Sequence, residues 1–200
     1  MKKLLALLFF VSCSAPTTGT PAAMFKQGEG LNPAEGHPLA GVKQGVGPSP
    51  ASLGALCFSP GGNCDLKVVG VIDGAKKTLD AFAYALNRQS IVDALVRAKK
   101  RSVVVRVLLD RTESGMASEK PMLALLTAAG IPLKRNTHKG IMHIKSAIAD
   151  GKVSAIGSYN WTNPATLIND EVLEVSGDEN KAAALEAKFE QCWSTFAVKQ

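Results

Sequence analysis

The sequence predicts an α/β fold, with a mixed, mostly parallel central sheet flanked by helices. Three observations lead there. Strand-like apolar runs alternate with helix-period runs between Leu79 and Asp110, an order that implies crossover connections. Val103 to Asp110 is apolar up to its acidic end except for Arg106, as a strand covered on both faces would be. Composition also fits a packed domain, with 46% hydrophobic and 20% charged residues in a chain of 200.

Taken in order, the chain divides into three parts. Residues 1–12, MKKLLALLFFVS, place two lysines before an unbroken apolar run and read as an export signal, too short to span a membrane as a mature helix. Cys13 follows at once, and FVSC resembles the lipobox of bacterial lipoproteins, which would lipidate Cys13 and tether the protein to a membrane. Phe10 departs from the usual leucine, so a plain signal peptide cut after Ala15 stands as the alternative. Either way the protein is expected to be exported, to the periplasm or cell surface. Residues 13–54 are rich in Gly, Pro, Ala, Thr and Ser and read as a flexible linker, with His37 solvated in it. Residues 55–197 form the expected folded domain.

That domain opens with a short strand and a Pro-Gly-Gly loop in ALCFSPGGNCDL. In an exported protein a disulfide between Cys57 and Cys64 would close this loop; Cys192 would be left over, or would pair with one of the two. Asp65 to Lys77 carries Val68, Val69, Ile72 and Ala75 on one stripe and reads as a helix, against the weakening effect of Gly70 and Gly74. Leu79 to Leu86 is an apolar strand. Gln89 to Arg101 is a second helix, whose basic end at Lys99, Lys100 and Arg101 complements the helix dipole. After the strand Val103 to Asp110 comes a polar loop, Arg111 to Lys120, in which Arg111 is a candidate phosphate contact. Pro121 to Ala129 is a helix with proline in its first turn and Gly130 after its end. Ile131 to Arg135 is a short strand. Glu171 to Val175 is another, and Glu179 to Phe196 is a closing helix with Ala182, Leu185, Phe189 and Cys192 on one stripe.

Between these elements lies the stretch Met142 to Asn160, MHIKSAIADGKVSAIGSYN, in the pattern H-x-K-x4-D-x6-G-S-x-N. It reads as two short strands joined at Asp150-Gly151, a strong hairpin signal. Residues two apart on a strand share a face, so His143 and Lys145 pair, as do Ser158 and Asn160. Imidazole, ammonium, hydroxyl and amide would converge at the strand ends. That set suits a phosphate ester. A neutral imidazole nitrogen attacks phosphorus, Lys145, Ser158 and Asn160 meet the charge on the non-bridging oxygens, and a histidine protonates the leaving oxygen. The cationic side chains do the electrostatic work, so no metal or other cofactor is expected.

This motif resembles the HKD signature of the phospholipase D superfamily, in the branch of small single-copy bacterial endonucleases. The likeness extends from Cys57 to Trp193 through CFSPGGNC, FAYAL, DALVRAKKR, AAGIPLK and GSYNWT. It implies the phospholipase D-like fold, with catalytic roles at His143, Lys145, Ser158 and Asn160 and a more structural one for Asp150. By position Glu171 would be the carboxylate that orients the histidine through its other ring nitrogen. The family uses two motifs per active site and this chain has one, so the likeness implies a homodimer with a shared site. One His143 would be nucleophile and its counterpart the general acid.

Lys134, Arg135, His138 and Lys139 sit just ahead of the motif and are candidates for a basic substrate rim, and Trp161 for stacking on a base. Net charge is +6, which favours polyanions without choosing between nucleic acid and anionic lipid. The leading expectation is an exported, metal-independent nuclease acting on DNA or RNA through a phosphohistidine. Hydrolysis of phospholipids is the alternative with the same chemistry, and would require an apolar rim. A non-catalytic, polyanion-binding lipoprotein is the alternative from another class.

Overall fold

The computed structural model describes residues 55–198. The export signal, Cys13 and the whole of the linker lie outside them. Within them, eight strands form one sheet: β1 (Ala55–Ser59), β2 (Thr78–Ala83), β3 (Val104–Leu109), β4 (Leu133–Arg135), β5 (Lys145–Ala149), β6 (Val153–Gly157), β7 (Glu171–Ser176) and β8 (Ala197–Val198). Five helices accompany them: α1 (Cys64–Gly74), α2 (Gln89–Lys100), α3 (Lys120–Ala128), α4 (Asn163–Leu167) and α5 (Glu179–Thr195).

The strand order is β1-β7-β6-β5-β2-β3-β4-β8. The sheet is mixed and helix-flanked, as expected, but it is not mostly parallel. Only β2–β3 and β3–β4 run parallel; every other junction is antiparallel. The crossover logic holds only where helices separate the strands, at α2 and α3. A short turn brings β6 back beside β5, and β7 returns antiparallel to β6 through the segment that carries α4.

Alternation along the strands sorts residues to two faces. Leu79, Ala81, Val105, Val107 and Leu109 face the larger core under α1 and α2. Phe82, Leu108 and Ile148 face the smaller one, against Phe189 and Cys192 of α5. Arg106 also points there. Its Nε and Nη2 grip Asp80 at 2.7 and 2.6 Å, and its guanidinium lies over the rings of Phe189 and Trp193. The lone charge in the β3 run is thus paired with a buried carboxylate. Around the same group stand Glu186 and Glu190, an acidic cluster that sequence spacing does not reveal.

Cys57 and Cys64 are joined, tying β1 to the start of α1, and Cys192 is free and buried. The hairpin turns at Asp150 and Gly151, both at positive φ, with Lys152 N donating back to Ala149 O at 3.0 Å. Two elements have no counterpart in the sequence-based expectation. Helix α4 begins on Thr162, whose side chain accepts from Ala165 N, and β8 follows α5 directly.

Candidate active site

Strand register brings the motif to one edge of the sheet. Lys145 opens β5 opposite Ala83, the last residue of β2, while Ser158 follows the end of β6 and Glu171 opens β7. The carboxyl ends of β2, β3 and β4 lie on this same edge. Gly157 is required by packing: a Cβ there would run into the carbonyl oxygen of Val172.

His143 is exposed and lies just ahead of β5 rather than on it. Its ring stands edge-on to Tyr84, centroids 4.4 Å apart at 68°. Lys145, by contrast, is only 3% exposed. Its Nζ donates to His143 O at 2.9 Å and sits 4.5 Å above the Tyr84 ring. Burial pushes the Lys145 pKa down, and the carboxylate of Glu171 pulls the other way. Tyr84, which in the sequence is only one residue of an apolar strand, therefore touches both members of the His-x-Lys pair. Its hydroxyl donates to Glu113 Oε1 at 3.3 Å.

Glu171, expected to orient the imidazole, makes no hydrogen bond to it among the described residues. Its Oε2 accepts from Ser158 Oγ at 2.5 Å, and Val172 N donates to the same hydroxyl at 3.1 Å. Asn160 is half-buried, and its Oδ1 has no hydrogen-bond partner among the described residues. An orphaned oxygen only accepts, so it is the side-chain NH2 of Asn160 that would have to meet a phosphate oxygen. Asp150 lies at the far end of β5, where it accepts from Lys76 N, Lys77 N and Thr78 N at 2.9, 2.7 and 2.9 Å. It organises the hairpin and takes no place at the site.

The rim residues separate. Trp161 is 1% exposed and packs in the larger core, so it offers no face to a base. Its backbone explains why: Trp161 O accepts from Asn87 N and Arg88 N, which stitches the chain between β2 and α2 to the end of the motif. Lys134 turns to α5, donating to Trp193 O at 2.6 Å and lying over the Trp193 ring. Arg135 faces a cleft on the site's edge of the sheet, and His138 and Lys139 are exposed. One further residue is buried behind the site. Asp110 Oδ2 accepts from Met142 N at 2.9 Å, and its Oδ1 from Thr112 N and Glu113 N, which fixes the approach to His143. An apolar strand ending on Asp was the signal for it.

Residues 68–193 match the family described as "Cardiolipin synthase, PLD-like domain". The chain belongs to the phospholipase D superfamily. The solved structure of Nuc, a phospholipase D family member from Salmonella typhimurium, superposes with a TM-score of 0.69 at 27% identity, covering 73% of this chain and 97% of that one. Among curated proteins, a mitochondrial cardiolipin hydrolase from Xenopus laevis is 31% identical over 62% of this chain and 58% of its own length. A phospholipase D from Rickettsia prowazekii is 36% identical over 58% of this chain and 55% of its own. The chain spans little more than half the length of the curated relatives it matches. Its phospholipase D-like domain, with β1 to β8 and the motif on one edge, is coextensive with nearly all of Nuc.

Proposed function

We propose that this domain is a metal-independent phosphodiesterase that cleaves nucleic acid through a phosphohistidine at His143. The observation that carries the reading is the cluster itself. An exposed imidazole is braced by Tyr84 beside a buried ammonium, with Ser158 and Asn160 just beyond the end of the neighbouring strand β6. In the first step a ring nitrogen of His143 attacks phosphorus and the P–O bond to the leaving alcohol breaks. A second histidine gives that oxygen its proton. It then takes a proton from water as the water attacks, and the N–P bond breaks to release phosphate ester and free imidazole. Lys145 and Asn160 balance charge on the non-bridging oxygens. The second histidine comes from His143 of another copy, because the chain contains a single motif. Within one chain, Ser158 occupies Glu171.

Phospholipid hydrolysis is the second reading, and one observation favours it. Ile141, two residues from His143, is exposed, as are Phe58 and Ile168 near the start of β7, which gives the site apolar neighbours. The relatives named for cardiolipin and phospholipid hydrolysis agree with that choice.

The deciding experiment incubates the full chain with DNA, RNA and phospholipid vesicles in EDTA, beside His143→Ala. Strand cleavage lost in the variant supports the nuclease, and head-group release supports the lipase. Retention of DNA by both proteins without turnover leaves the non-catalytic, polyanion-binding role. Acid-labile phosphate trapped on His143 by rapid quench is the signature of the covalent step.

A further inference from the structure

On the same edge of the sheet as His143, the loop after β3 and the end of β4 enclose a cavity of about 480 Å³, lined among others by Arg111, Ser114, Arg135, Asn136 and Thr137. Its hydrogen-bonding inventory is one-sided. Asn136 is used twice, accepting from Arg111 N at 2.7 Å and donating to Gly140 O at 2.8 Å. Thr137 Oγ1 donates to Thr195 O, and Ser114 Oγ accepts from Arg135 Nε at 2.8 Å. What is left is the terminal nitrogens of Arg135 and the whole guanidinium of Arg111. Neither arginine is paired with a carboxylate among the described residues, and no Asp or Glu lines the cavity. A cleft that offers two guanidinium groups and no lining carboxylate favours an anion with several oxygens.

We propose that this cleft holds a second, non-scissile phosphodiester of a nucleic acid strand whose scissile phosphate lies at His143. The proposal rests on the nuclease reading above and extends it to a substrate subsite. Spacing argues for a strand with repeated phosphates. Lys145 pairs with Ala83, Ala83 with Leu109, and Leu109 with Arg135, so three strand spacings, roughly 14 Å, separate the two places. A phospholipid with one head-group phosphate, bound for cleavage at His143, has no second phosphate for the cleft. The two places are also built together. Asp110 bonds the amides of Thr112 and Glu113 on the cleft side and that of Met142 on the other. Ser114 holds Arg135 by its Nε, so the outer edge of that guanidinium is aimed before a ligand arrives. Burial without an acidic partner pushes the Arg135 pKa down, a cost that an arriving phosphate would relieve.

The test reads binding rather than turnover. In the full chain carrying His143→Ala, the affinity for a fluorescent single-stranded oligonucleotide is measured across a salt series, with and without Arg111→Gln and Arg135→Gln. Affinity is expected to fall on the order of tenfold, and the slope of log K against log salt to become shallower by about 0.7 for each phosphate that is no longer neutralised. Arg135→Lys should keep the slope and lose part of the affinity. If Arg135→Gln lowers the melting temperature, the exposed Arg111→Gln alone carries the comparison. Unchanged affinity and slope, in a protein whose wild type cuts nucleic acid, overturns the subsite and leaves the nuclease standing. A wild type that neither cuts nor binds the oligonucleotide overturns both. Slower hydrolysis of cardiolipin vesicles by the arginine variants, with oligonucleotide affinity intact, overturns the nucleic-acid assignment of the cleft.

Discussion

At the scale of single residues, Lys145 shows how a site can work against the fold that carries it. Its ammonium is buried without a carboxylate in bonding range, and its pKa is pushed down by that burial. A lysine whose folded pKa lies below its unfolded value costs stability at neutral pH, because the cost is absent only above the unfolded pKa. Lys145→Met should therefore raise the melting temperature while cutting phosphodiester turnover on the order of 10²–10³-fold. A variant that melts lower and still turns over would contradict this account of the residue. Tyr84 is the second test. Tyr84→Phe keeps the ring beneath Nζ and beside the imidazole, so its turnover should stay within about threefold of wild type. Tyr84→Ala removes both contacts and should lose about tenfold or more. Equal behaviour of the two variants would assign the effect to the hydroxyl and Glu113 instead.

At the scale of elements, two carboxylates titrate in opposite directions. Burial pushes the Asp150 pKa up, but bonds from the amides of Thr78, Lys77 and Lys76 outweigh it and hold the carboxyl below its ordinary value. That stability is present above the ordinary value and is lost as pH falls through the folded pKa. Asp150→Ala should destabilise the hairpin by about 1–3 kcal/mol, leaving three amides short of an acceptor, with the catalytic edge of β5 preserved. Glu186 on α5 behaves the other way. Burial and then Asp80 push it up to about 8, against the pull of Arg106. A raised carboxyl stabilises most below its unfolded value of 4.5 and loses that contribution as pH rises to about 8. Melting temperatures should thus decline across this window, and Glu186→Gln should flatten the decline. A wild-type profile that is already flat would refute the role given to α5.

At the scale of the whole molecule, the proposed shared site would make activity a property of two copies. Wild-type protein mixed with a large excess of His143→Ala chains and allowed to exchange should lose more activity than dilution explains, since each mixed pair lacks one imidazole. Light scattering would show the dimer, and a strict monomer with full activity would sink the shared site. Helix α5 covers the sheet's second face over β2, β3 and β5, leaving Leu56 and Phe58 of β1 exposed.

Much of this was legible in the chain itself. Spacing within Met142 to Asn160 determined the hairpin, the turn at Asp150-Gly151 and which residues lie at the strand ends, because backbone periodicity and positive-φ turns are local properties. Likewise the α5 stripe of Ala182, Phe189 and Cys192 could be read from a 3.6-residue period. Only the tertiary structure decided the antiparallel half of the sheet, the burial of Trp161, the turn of Lys134 toward Trp193, and the hold of Ser158 on Glu171. Each depends on which surface arrives from a distant part of the chain, and periodicity carries no record of that. Tyr84 and Asp110 are the clearest cases: they sit at the ends of unremarkable apolar strands, and acquire a role only because β5 is laid beside β2 and brings His143 to them.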